Sequence, residues 1–227
     1  MIEEEWYKDY TLIIEDLKNK KPFAFSRWGD GEWLNIIKHP GENCDGNKYY
    51  HDLGDNLRQI VEVKQDYYMG AQSYKNNANV LRSDYHQYPH QEWINADVFH
   101  KASMRGVLGE FVDILKKEKV FYIGNNDLKK LNFIDNFLSI PQKNVWKFKD
   151  RVMELIKDNV TKDHKIFLFS AGMAANVFIH ELWEYDKNNT YIDVGSVFDP
   201  YVDKFTRGYH KIVFDRNIKG KNTYVKD

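Results

Sequence analysis

Residues 166–195 read IFLFSAGMAANVFIHELWEYDKNNTYIDVG, and their reading decides the fold. Ile166 to Phe169 is a short apolar run that stops at Ser170-Ala171-Gly172. From Met173 to about Tyr185 apolar residues recur at helical spacing, and Thr190 to Val194 is a second strand, ended by Gly195. A strand, a helix and a strand in this order need a crossover, which makes the two strands parallel. Working back along the chain, Asn144 to Phe148 is a weaker strand, followed by a helix through about Val160. Val120 to Ile123 is a strand ending in Gly124-Asn125-Asn126, followed by a helix through Phe137. Near the start, residues 3 to 20 place Trp6, Tyr10, Ile13, Ile14 and Leu17 on one helical face. Pro22 to Ser26 is then a strand, Gly29-Asp30-Gly31 breaks it, and Glu32 to Lys38 resumes a helix.

The class is therefore α/β: a Rossmann-like, mainly parallel sheet with helices on both faces, in one domain over residues 1–227. Between about 39 and 100 the periodicity weakens. Turn pairs Pro40-Gly41, Asp45-Gly46 and Leu53-Gly54 punctuate it, only Leu53 to Val63 is helical, and the segment reads as an irregular lid or acceptor-side region. Its aromatics, among them Tyr49, Tyr50, Tyr67, Tyr68, Tyr74, Tyr85, Tyr88 and Trp93, offer stacking surfaces or ordinary packing. No internal repeat is present.

Of 227 residues, 42% are apolar and 30% charged, enough for a substantial core. Lys and Arg (33) nearly balance Asp and Glu (34), which removes the global field of a nonspecific nucleic-acid binder. No apolar run is long enough for a membrane span, and MIEEEWYKDY does not read as a signal peptide, so the expected compartment is the cytoplasm. A single cysteine, Cys44, excludes a Cys-rich zinc site, leaving oxygen or histidine ligands for any metal. His86 and His90 are separated by Pro89, which breaks the helix that would align them; His100, His180 and His210 read as surface or packing residues. The tail from Lys211, with Arg216, Lys219, Lys221 and Lys226, is mildly basic and reads as a solvated end.

Ligands of open parallel sheets sit beyond the carboxyl ends of the strands. Four such loops carry polar or glycine residues: Ser26 to Glu32, Gly124 to Asp127, Ser170 to Gly172 and Asp193 to Asp199. In the first, Asp30 and Glu32 flank Gly31, whose flexibility would let two hard carboxylates converge on Mn²⁺ or Mg²⁺, with Arg27 beside them for phosphate. The bland alternative is an Asp-Gly turn with acidic residues favoured by a helix start. Ser170, Gly172 and Met173 form a small-residue loop into a helix, suited to an anion or simply to tight packing. Asp193 is placed to accept from ribose hydroxyls, and Asp199 is a general base or, before Pro200, a turn residue.

Taken together, Phe25-Ser26-Arg27-Trp28-Gly29-Asp30-Gly31-Glu32, Ser170-Ala171-Gly172-Met173-Ala174-Ala175-Asn176 and Ile192-Asp193-Val194-Gly195-Ser196 resemble the small glycosyltransferases of the GT-D fold with a D-x-E metal motif. The resemblance implies a uridine diphosphate sugar donor, with Asp30 and Glu32 as metal and diphosphate residues. Arg27, Gly29, Gly124, Asn125, the Ser170-Gly172-Met173 loop, Asp193 and Ser196 become donor-site candidates. Ser196 and Asp199-Pro200 stand where relatives that modify bacterial adhesins look more like Gly-His followed by acidic residues, which leaves acceptor and base open. Asn43-Cys44-Asp45-Gly46 is similar to versions in phage and other mobile-element genomes, which implies a bacterial or phage-infected host cytosol. The acceptor is then a glycan or a hydroxymethylated base in phage DNA. A homodimer stays open. The competing readings are a Rossmann-type methyltransferase, with Asp193 on the ribose, and a noncatalytic nucleotide-sugar-binding protein.

Overall fold

Val120–Gly124 and Ile166–Phe169 are buried along their whole length, as strands covered on both faces must be. The computed structural model describes residues 2–72, 86–219 and 224–226. Among them, β1 (Ala24–Trp28), β2 (Tyr68–Ala71), β3 (Trp93–Asn95), β4 (Val120–Gly124), β5 (Asn136–Ser139), β6 (Ile166–Phe169) and β7 (Thr190–Asp193) form one sheet in the order β3-β2-β1-β7-β6-β4-β5. Every pairing is parallel. The helices are α1 (Ile2–Lys18), α2 (Asp30–Ile36), α3 (His51–Glu62), α4 (Val98–Arg105), α5 (Gly109–Leu115), α6 (Lys149–Lys157), α7 (Ala174–Tyr185) and α8 (Gly208–Val213).

Successive strand residues feed opposite cores, following the period of two. Phe25, Tyr122, Leu168 and Ile192 pack with Ile13, Phe99 and Phe111 of α1, α4 and α5. Ala24, Phe121, Phe167 and Tyr191 pack with Leu57, Ile156 and Phe178 of α3, α6 and α7. The expected α/β sandwich, with helices on both faces, is the fold observed. No helix among the described residues is long and apolar enough to cross a membrane.

Three expectations are corrected. No helix runs from Gly124 through Phe137: a 3₁₀ turn (Asn126–Lys130) is followed by β5. Leu128, Leu131 and Ile134 imitate helical spacing, but the chain's end draws this backbone away, since Asn132 N–H donates to Tyr224 O (2.8 Å) and Lys226 N–H to Lys130 O (2.7 Å). The same bonds tie down the tail expected to be solvated. Asn144 to Phe148 is not a strand; Asn144, at φ +59°, opens a 3₁₀ turn over Val145–Phe148.

The region read as irregular also supplies β2 and β3. Gly70 weakens the strand signal of β2, yet packing requires it: a Cβ there would lie 2.8 Å from Phe25 Cε2 and 2.9 Å from Ala96 Cα. Several of the region's aromatics serve packing. Tyr88 stacks on Trp33 at 5.9 Å and Trp93 meets Trp28 and Trp33 edge-on. Tyr74, Tyr85 and Lys221 lie outside the described residues.

Candidate functional site

The carboxyl ends of β1 and β7 separate. Their pairing stops at Phe25↔Ile192, whereas β1 stays on β2 as far as Trp28↔Ala71. Here strand order reverses, β1 to β3 running to one edge and β4 to β7 filling the other half. A crevice at such a point is where open α/β sheets take ligands. It opens into a cavity of about 780 Å³ that the loops after β1, β2, β3, β4, β6 and β7 all line. That volume lies within the range of small-molecule sites.

Asp193 bridges the split. Its Oδ1 accepts from Gly195 N–H at 2.8 Å, and its carboxylate also takes the Arg27 backbone N–H that the departing strand leaves unpaired. Only 5% of Asp193 is exposed, and burial pushes its pKa up to about 6 although the Arg27 guanidinium opposes this.

Arg27 is an internal strut. Its Nε donates to Ala96 O (2.7 Å), and its Nη2 to His100 Nδ1 (3.0 Å) and, at 3.5 Å, to Asp97 Oδ1. Its Nη1 lies against Gly195, where an added Cβ would overlap it; Gly195 also sits at φ +53°. His100, expected on the surface or in packing, is therefore part of the site. Burial and then Arg27 lower its pKa to about 4, so it is neutral at pH 7. Burial works against the Asp97 carboxylate, but its neighbours His100, Arg27 and Gln72 outweigh it and hold its pKa below the usual range.

Gly29 is the extended N-cap of α2, and Asp30 and Glu32 are its first and third residues. Gly31 does not bend a turn, as expected from sequence; it is helical and lets the chain pass Met173, whose Cγ and Sδ would be 3.4 Å from a Cβ. Residues two apart on a helix point about 200° away from each other. Accordingly Glu32 turns back, its Oε2 accepting from Gly29 N–H (2.8 Å) and its Oε1 from Asn176 Nδ2 (3.4 Å), while Asp30 is exposed. Both still line the one cavity. Burial pushes the Glu32 carboxyl to about 7.

Across the crevice Ser170 Oγ donates to Gly195 O (2.5 Å) and pairs with Tyr122 Oη (2.7 Å). Gly172, at φ +57°, and Met173 carry the chain into α7 along the cavity wall. Ser196 pairs with Tyr209 Oη at 3.3 Å, and Asn125 Oδ1 accepts from Lys204 Nζ at 3.0 Å. Asp199 is the first residue of a 3₁₀ turn (Asp199–Val202) whose N-cap is Phe198, and it also faces the cavity. It is 7% exposed, Thr206 Oγ1 donates to its Oδ2 (2.9 Å), and burial raises its pKa to about 6. Of the sequence candidates only Gly124 is outside the lining; a Cβ there would meet Tyr122 and Leu128. Sequence reasoning missed Asp97, Lys101, Thr206, Arg207 and Tyr209, which carry no motif, and read Asp45 only as part of a turn and of the Asn43-Cys44-Asp45-Gly46 segment.

Among the described lining residues, six carboxylates (Asp30, Glu32, Asp45, Asp97, Asp193, Asp199) face three cations (Arg27, Lys101, Arg207). No group of three or more described His, Cys, Asp or Glu side chains is arranged to hold a metal alone. The all-oxygen donors and the negative excess fit a hard divalent ion that arrives with oxygens of its own ligand.

No family model matches the chain, and no curated protein matches it. A solved structure described as the selenomethionine-substituted domain of unknown function 1792 (DUF1792) superimposes with a TM-score of 0.65, over 92% of this chain and 88% of that one, at 15% identity. The two share a fold.

Proposed function

We propose that the protein is a metal-dependent glycosyltransferase that moves a sugar from a nucleoside diphosphate, in the first instance uridine diphosphate, to a hydroxyl of a glycan or a hydroxymethylated base. The observation that carries this reading is the meeting, in one strand-end cavity, of the Asp30–Glu32 helix start, the Gly172 loop and the Asp193–Asp199 loop. Asp30 and Glu32 would hold Mn²⁺ or Mg²⁺, which when bound supplies charge screening for the diphosphate leaving group. A lining with this negative excess disfavours a bare diphosphate and favours one accompanied by a cation.

The chain's own groups orient the reactants. The backbone from Gly172 into α7 presents the positive end of a twelve-residue helix to the cavity. Asp199, fixed through Oδ2 by Thr206, takes the proton of the acceptor hydroxyl as that oxygen attacks the sugar's anomeric carbon and the bond to the diphosphate breaks. Its pKa of about 6 keeps it ionised but basic at pH 7. The methyltransferase reading needs Asp193 for a ribose, and that carboxylate is engaged by the Gly195 and Arg27 N–H groups.

The experiment is calorimetry and product mass with a nucleotide-sugar panel and Mn²⁺, using wild type, Asp30→Ala and Glu32→Ala. Loss of turnover by about 100-fold or more in each variant is expected. Undiminished donor binding and turnover in both would remove the assignment.

A further inference from the structure

Of the three cations among the described lining residues, Arg27 has no fork left to offer, because Ala96, Asp97 and His100 engage it and Gly195 covers its Nη1. Lys101 stands on α4, near Asp9 of α1, where it weakly opposes the rise that burial gives that carboxyl's pKa. Arg207 differs from both. It precedes α8, and among the described residues its guanidinium has one hydrogen-bonded partner, Asp45, reached through Nη2 at 2.5 Å from a loop 162 residues away in sequence. Arginine and carboxylate can pair through two parallel bonds. Here one nitrogen does the pairing, and the Arg207 side chain, 30% exposed, borders the cavity.

Both ends of this contact are built. Asn43 Oδ1 accepts from the N–H groups of Asp45 and Asn47 (3.0 Å each), Asn47 Oδ1 accepts from Asn144 N–H (2.7 Å), and Asn144 Oδ1 accepts from Lys48 N–H (2.9 Å). Asp45 is thus presented from a braced loop. On the other side, His210 Nδ1 accepts from the backbone N–H groups of Thr206 (3.1 Å) and Arg207 (3.3 Å), fixing the backbone that carries the guanidinium. A fixed carboxylate therefore keeps a partly open guanidinium at the edge of a cavity that otherwise has an excess of negative charge.

We infer that Arg207 is the phosphate-binding side chain of this site and that Asp45 is its internal stand-in, displaced when a diphosphate arrives. The inference rests on the nucleotide-sugar reading and names the residue that grips the donor's diphosphate, in place of the Arg27 expected from sequence. Asp45 competes with the ligand for the same guanidinium, so removing its charge strengthens anion binding. A merely structural ion pair gives the opposite result, because breaking it loosens the loop and the cavity wall.

The test is calorimetry with inorganic pyrophosphate and with uridine diphosphate, each in chelator and in Mn²⁺, on the full chain. Arg207→Gln is expected to weaken both by 10-fold or more. Asp45→Asn is expected to tighten pyrophosphate binding about three- to ten-fold, and to have no effect in the Arg207→Gln background. Asp45→Asn keeps Arg207 in place and decides the matter should Arg207→Gln not fold. Unchanged or weaker binding in Asp45→Asn, undiminished binding in a folded Arg207→Gln, or no uptake of either probe by wild type overturns the inference. If pyrophosphate shows the expected pattern while no nucleotide sugar binds, the anion site stands and the donor reading falls. If nucleotide sugars turn over unaffected by Arg207→Gln, the donor reading stands and this inference falls.

Discussion

Replacing Gly195 by alanine tests whether Arg27 is pinned at the split between β1 and β7. Gly195 and Gly172 both have left-handed backbones, φ +53° and +57°, so an L side chain costs each about 1–2 kcal/mol. At Gly172 little is added, since the nearest atom to a Cβ is Asn47 Nδ2 at 3.3 Å, a contact that a shift of a few tenths of an ångström relieves. At Gly195 the Cβ overlaps Arg27 Nη1, and the guanidinium can leave only by giving up Ala96 O and His100. A hydrogen bond to a charged group contributes about 1.5–3 kcal/mol. The expected losses are thus about 1–2 kcal/mol for Gly172→Ala and about 4 kcal/mol or more for Gly195→Ala. In thermal unfolding these correspond to roughly 2–8 °C and 8–16 °C for a chain of this size. Urea titrations of both variants give the free energies. Equal destabilisation of the two would refute the role of Gly195 as the space through which Arg27 reaches its partners.

Asp199 has a pKa of about 6 in the fold against 3.8 normally, so ionisation penalises the folded state as pH rises through 6, by up to about 3 kcal/mol. Asp199→Asn should therefore be more stable than wild type at pH 8 and equal to it at pH 4, while losing sugar transfer and keeping donor binding; urea titrations at both pH values and product mass check this. His100 shows the opposite sign: with its pKa lowered from 6.5 to about 4, stability is lost as pH falls through that window, by up to about 3 kcal/mol. Relative to wild type, His100→Gln should gain that amount between pH 7 and pH 4. Gly70→Ala should cost about 1–3 kcal/mol in urea, because its Cβ meets Phe25 and the Ala96 backbone in a packed sheet.

Much of the sheet was legible because its central strands are continuous apolar runs. Ile166–Phe169 needed no adjustment, and Thr190 to Val194 needed one residue. β1 ran two residues further than expected, through Arg27 and Trp28, because a charged residue on a buried strand hides the pattern. β2 was hidden by Gly70, whose reason is contact with another strand, and β5 by partly exposed residues at the sheet edge. Eleven of the twelve candidate site residues border the cavity because loops after parallel strands converge whatever their sequence. Which carboxylate faces which partner was not legible. Asp193 taking the Arg27 N–H across the β1–β7 split and Arg207 meeting Asp45 depend on distances between segments far apart in the chain, whereas Glu32 capping its own helix is a local contact over three residues.

The most direct measurement is a calorimetric titration of the full chain with a uridine diphosphate sugar in Mn²⁺, repeated in chelator, with a methionine-derived methyl donor as the comparison. The account predicts saturable binding of the sugar nucleotide that weakens sharply when the metal is removed, and none of the methyl donor. Binding of the methyl donor with no response to any nucleotide sugar, with or without metal, would contradict it.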